Sequence, residues 1–113
     1  MTQLGSAPVT VSAWLEGHTR RAPEPLRARV RVYAAAAAAD AEPGASGAAE
    51  ALARAGRAAL AQVLAHPGDR SVALDLLAAD ALVTLALLAQ AKLAPERLRG
   101  FADALLREGA AAS

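Results

Sequence analysis

The 113-residue chain has no cysteine, which excludes disulfides, thiol nucleophiles and thiolate metal sites. Aromatics are nearly as scarce, with one Trp, one Tyr and one Phe. Twelve Lys and Arg stand against eleven Asp and Glu, leaving a net charge of +1. No global field therefore steers the chain toward nucleic acid or an anionic membrane. No period-2 run of β-branched residues is long enough for a sheet. There is no HExxH, ExxH or EF-hand loop, no GxSxG turn, and no GxGxxG or Walker loop. The usual acid–base, nucleophilic and phosphate-cradling constellations thus have no residues to carry them, and neither cofactor nor enzymatic activity is expected. The opening MTQLGSAPVTV lacks a basic segment followed by an apolar run, so a secretory signal is not expected. With no cysteine, the cytoplasm is the expected compartment.

What the chain does have is alanine, 34 residues of it. Alanine has the highest helix propensity and almost no bulk, so an Ala/Leu core requires helices to approach closely. The longest apolar stretch, Ser71–Lys92 (SVALDLLAADALVTLALLAQAK), contains neither Gly nor Pro. As a helix it is roughly 33 Å long. That length suffices to cross a bilayer, but Asp75 and Asp80 lie inside it and each costs several kcal/mol at bilayer depth. A buried core helix is expected there, and no membrane span.

The remaining elements follow from periodicity and punctuation. Residues 1–8 read as a tail. A first helix over Val9–Arg20, capped by Thr10 or Ser12, carries Val11, Trp14, Leu15 and His18 on one face. Pro23 and Pro25 break it, and Pro25 suits the start of a second helix over Glu24–Asp40 with Leu26, Val30, Tyr33 and Ala37 inward. Asp40–Gly47 reads as a loop. Ser46 is expected to cap a third helix to His66, with Ala49, Leu52, Ala53, Gly56, Leu60, Val63 and Leu64 as its stripe. Gly56 in mid-helix marks a close crossing. His66-Pro67-Gly68 ends that helix, and Asp69 or Ser71 caps the central one. Pro95 opens a fifth, with Leu98, Phe101, Ala102, Leu105 and Leu106 inward, ending at Gly109. Residues 110–113 should fray. The expectation is all-α: one domain over 9–109, a compact bundle of four to five helices around a central apolar helix at about 71–92.

Placed at 100° steps, the central helix divides into four sectors. Val72, Leu76, Val83 and Leu87 form one aliphatic face; Leu74, Leu77, Leu85 and Leu88 form another. Between them run one strip of Ser71, Asp75, Ala79 and Ala86, and a second of Ala73, Asp80, Thr84 and Ala91. Two aliphatic faces call for two neighbours. Either neighbouring helices of the same chain surround it, or one face meets another protomer, for which a C2 homodimer is the commonest closed arrangement, or another helical protein; the short, alanine-rich helices elsewhere favour the second. Asp75 is expected to interact with the helix dipole. Asp80, beside Thr84, reads as a buried acid paired with an arginine such as Arg54 or Arg57, as one reaching solvent between helices, or as a polar site facing a small apolar ligand.

Two histidines, His18 and His66, fall at helix ends, where structural roles are expected. Arg20, Arg21, Arg27, Arg29 and Arg31 form a basic cluster around Glu24. A phosphate-contacting patch is one reading. Near-zero net charge, the lack of interleaved aromatics and the absence of a helix-turn-helix pattern favour instead a solvated face or pairing with a partner's acids.

The segment LLAADALVTLALLAQA (Leu76–Ala91) resembles a core helix of trans-isoprenyl diphosphate synthases, which commonly reads LLAGDALLTLAFELLA. It covers sixteen residues of the chain. The family's DDxxD motifs, which hold magnesium and diphosphate, have no counterpart here, nor does its GGKRLRP-like basic segment. No catalytic residue carries over. The resemblance implies a non-catalytic helical subunit, like the small subunits of heteromeric prenyl synthases. The residues by themselves point to a small helical protein acting by interaction, as an oligomeric scaffold or regulatory subunit.

Overall fold

A computed structural model describes residues 11–39, 45–93 and 95–112. They form five α-helices: α1 (Val11–His18), α2 (Glu24–Ala38), α3 (Ala45–Ala65), α4 (Ala73–Leu93) and α5 (Leu98–Ala112). No strand occurs among the described residues. The protein is an all-α bundle.

Local chemistry sets most of the boundaries. Thr19 closes α1, its backbone N–H and its hydroxyl both donating to the Leu15 carbonyl at 2.9 and 2.7 Å. Pro23 is extended (φ −57°, ψ 147°) and caps α2, whose second residue is Pro25. A proline is tolerated there because first-turn N–H groups have no helical partner. Between α3 and α4 the chain reverses over a few residues. Gly68 takes φ +82°, a conformation that a Cβ disfavours. Asp69 then accepts the Ser71 N–H at 2.9 Å, capping a short 3₁₀ turn, Arg70–Val72, that leads into α4. A second 3₁₀ turn, Pro95–Arg97, leads into α5.

Two helix ends and one side chain depart from the sequence expectation. The third helix starts at Ala45, so Ser46 stands inside its first turn rather than before it. The fifth passes through Gly109 to Ala112, because three following alanines offset the roughly 1 kcal/mol that one glycine costs. Leu106, expected inward, is 73% exposed. The proposed tail at 1–8, the Thr10 cap, most of the loop at 40–44 and Ser113 lie outside the described residues.

Helices α3 and α4 make the most extensive contact in the molecule; α2 packs on both, α1 on α2 and α3, and α5 on α4 and α3. The α3–α4 contact is lined by small residues. Ala48, Ala49, Ala51, Ala55 and Ala59 of α3 are buried, as are Ala78, Ala79, Ala86 and Ala89 of α4. The expected close crossing occurs at Gly56. A Cβ placed there would lie 2.9 Å from Val83 Cγ2 and 3.4 Å from the Val83 backbone nitrogen. Leu52, Leu82 and Val30 are the largest side chains that are fully buried.

Candidate interaction surface

Helix α4 carries the residues singled out for assembly. Its buried arc consists of Asp75, Ala78, Ala79, Leu82, Leu85, Ala86, Ala89 and Gln90. These positions recur at three- and four-residue intervals, so they form a single stripe. The stripe is centred on the alanine strip, not on either aliphatic face. Of the eight residues assigned to those faces, only Leu85 is buried. Val72, Leu74, Val83, Leu87 and Leu88 are half-buried, whereas Leu76 and Leu77 are 52% and 54% exposed. The physical reason is size. Alanine lets α3 come close, so the narrow strip becomes the contact and the leucine rows become its shoulders.

Opposite the buried stripe, Ala73, Leu76, Leu77, Asp80 and Thr84 are exposed, and Leu87, Leu88 and Ala91 are half-buried. Asp80 is therefore not the paired acid expected from its apolar flanks. Its proposed partners are engaged elsewhere: Arg54 donates to the Ala37 carbonyl at 3.1 Å, and Arg57 pairs with Glu108 at 2.6 Å. The Arg54 contact falls on a carbonyl in the last turn of α2, where a cation complements the helix dipole.

The buried acid of this helix is Asp75, 3% exposed. One of its oxygens accepts from Arg29 Nη1 and from the Tyr33 hydroxyl, each at 2.7 Å. The Tyr33 hydroxyl, followed by the Arg29 guanidinium, holds this carboxyl below the usual carboxylate range despite the opposing cost of burial. Tyr33 is pushed upward, first by burial and then by Asp75. From its first-turn position alone Asp75 reads as an acid on the helix dipole. In the sequence Arg29 and Tyr33 stand one turn apart on α2, and Asp75 is the acid on the strip with Ala79 and Ala86, but only the burial of that strip against α2 brings the three together.

The basic cluster is largely neutralised within the chain. Arg31 pairs with Glu24 at 2.9 Å and approaches Glu16 at 4.0 Å; Arg27 lies 3.4 Å from Glu24 and 4.0 Å from Glu16. With Arg29 on Asp75, the acids belong to this chain rather than to a partner. Arg20 and Arg21 remain exposed, with no ion pair among the described residues. Both histidines serve helix ends. His18 stacks on Trp14 with ring centroids 4.1 Å apart. Its Nδ1 lies 2.9 Å from the Trp14 carbonyl, and His66 Nδ1 lies 3.0 Å from the Gln62 carbonyl. Each such nitrogen donates, because a carbonyl oxygen only accepts.

Two shallow grooves flank Phe101. One is bounded by Ala53, Arg57 and Leu105, the other by Gln90, Glu96 and Arg97, and Glu50 borders both. Both are open, and neither gathers a nucleophile with a base. No group of three His, Asp or Glu among the described residues is placed to hold a metal ion. Compared with protein-family models, curated proteins and solved structures, the chain matches none.

Proposed function

We propose that this protein acts by protein–protein association through the outer face of α4, as a non-catalytic oligomeric scaffold or regulatory subunit. The observation that carries the reading is the half-exposure of Leu76 and Leu77 on a helix whose opposite side is fully packed. An apolar row of this length on a helix surface is the usual mark of a helix-in-groove or coiled-coil contact. The expected partner is a second copy of the chain.

By length and composition the helical stretch Arg70–Lys92 could cross a membrane. Two features favour a protein partner over lipid. The inner side of α4 is committed to an alanine-lined contact with α3, and Asp75 is tied to Arg29 and Tyr33 on α2. Moving α4 into a bilayer would break that triad and carry Asp80 to membrane depth. Pairing of Arg27, Arg29 and Arg31 within the chain argues against a phosphate-binding role for the cluster. A soluble interaction module in the cytoplasm is the setting that fits these features.

Light scattering behind a size-exclusion column, across a concentration series, tests the reading. A dimer that Leu77→Ser converts to monomer supports it. A monomer at every concentration that floats with lipid vesicles overturns it.

A further inference from the structure

The outer face of α4 has an internal symmetry in its residue types. Counted outward from residue 82, matching positions carry matching or complementary side chains. Leu77 and Leu87 stand equally far from it on either side, as do Ala73 and Ala91, and Asp80 and Thr84. Leu82 itself points into the core and is fully buried. A two-fold axis leaving α4 on the side opposite Leu82 therefore emerges at the centre of the outer face.

We infer that a second copy packs against this face antiparallel, with the dyad at the level of residue 82. The inference rests on the association reading above and adds its partner, orientation and register. In an isologous contact residue i meets j and j meets i, so a self-complementary face must read the same from both ends. Here leucine meets leucine and the alanine at one end meets the alanine at the other. The single charge on the face, Asp80, meets the Thr84 hydroxyl of the second copy, which donates to its carboxylate. The spacing 73, 77, 80, 84, 87, 91 alternates four and three, the seam of a two-helix coiled contact. A parallel pair would set each residue against its own copy. Asp80 would then face Asp80 in a desolvated seam, a like-charge juxtaposition that disfavours that orientation.

The absence of native cysteine makes the register directly testable. Leu77→Cys and Leu87→Cys are prepared as separate full-length variants, their helicity is checked by circular dichroism, and they are oxidised alone and as an equimolar mixture. In the antiparallel register each introduced cysteine is roughly 15 Å along the axis from its own copy. That is well beyond the roughly 7 Å Cα separation a disulfide bridges. The expected result is a cross-linked dimer in the mixture and little in either variant alone. Cross-linking of each variant alone would show a parallel pair and overturn the register while leaving the association reading intact. A dimer by light scattering with no cross-link in any sample would place the contact on another face and overturn the register. Monomer at every concentration would overturn both. As a second arm, Thr84→Asp should weaken the dimer at least tenfold by opposing two carboxylates. Adding Asp80→Lys should restore it only in the antiparallel register, where the introduced lysine meets the introduced aspartate.

Discussion

The two sides of α4 invert the ordinary relation between size and burial. The inner side buries Ala78, Ala79, Ala86 and Ala89 with two large aliphatics, Leu82 and Leu85, among them, whereas Leu76 and Leu77 stand outside. Small residues inside bring the backbones together, as at Gly56 and Val83. They remove little apolar area from water per residue, at about 25 cal/mol per Å². The inner side thus supplies geometric fit, and the outer side holds apolar area not yet removed from water. A close helix contact and an exposed leucine pair are two consequences of one alanine-rich composition.

Substitutions on the two sides should separate these roles. The largest effect is expected at Leu82, where Leu82→Ala should cost about 3 kcal/mol of protomer stability, read by denaturant unfolding. Asp75→Ala should follow at about 2 kcal/mol, because it leaves Arg29 and Tyr33 without their acceptor. Arg29 remains partly solvated, which keeps the loss below that of a fully buried pair. The Asp75 carboxyl is held low in the folded state, so its stabilising contribution is present above the unfolded carboxylate pKa and is lost as pH falls through the folded value. Asp75→Asn should flatten that acid limb of the stability profile; an unchanged acid limb would show that the triad does not set it.

Gly56→Ala should be destabilising by about 1 kcal/mol even though alanine is the better helix former. The stiff Val83 side chain and its backbone leave no room for a methyl group. If thermal unfolding shows Gly56→Ala to be stabilising, the close approach of α3 and α4 is not a constraint. On the outer side, Leu77→Ser should change protomer stability by less than about 0.5 kcal/mol while shifting the association equilibrium. The smallest effect is expected for Arg31→Ala, about 0.5 kcal/mol or less, because its pairing with Glu24 is exposed.

Much of this architecture was legible in the residues. Helix periodicity and the prolines at 23, 25 and 95 mark out all five helices, and Gly56 in mid-helix marks the close crossing. The side of α4 that would be buried was not legible. Leucine-rich rows on both flanks make the helix nearly uniform in hydropathy, so periodicity gives no direction. The decision came from backbone proximity, which favours alanine and is set by α3. For the same reason the roles of Asp75 and Asp80 were exchanged: both lie in one apolar run, and only the position of α2 tells which meets Arg29 and Tyr33. The outer face with Asp80 and Thr84 was identified as a polar strip, but its place opposite the core needed the fold.

The short reversal through Gly68 and Asp69 also bears on the order in which the molecule assembles. Gly56 and Val83 are brought together by closing a modest loop between two strong helix formers, an event favoured early because little chain entropy is lost. The triad of Asp75 with Arg29 and Tyr33 joins residues 46 and 42 positions apart. The α3–α4 hairpin is therefore expected to form first and to act as the template on which α2 docks. Changes at Gly56 should then register mainly in the folding rate, and changes at Arg29 mainly in the unfolding rate. During that interval the surface that α2 later covers and the outer leucine rows are exposed together. Under the association proposed above, whether two hairpins meet before α2 arrives would decide between a dimer of finished protomers and an intertwined one.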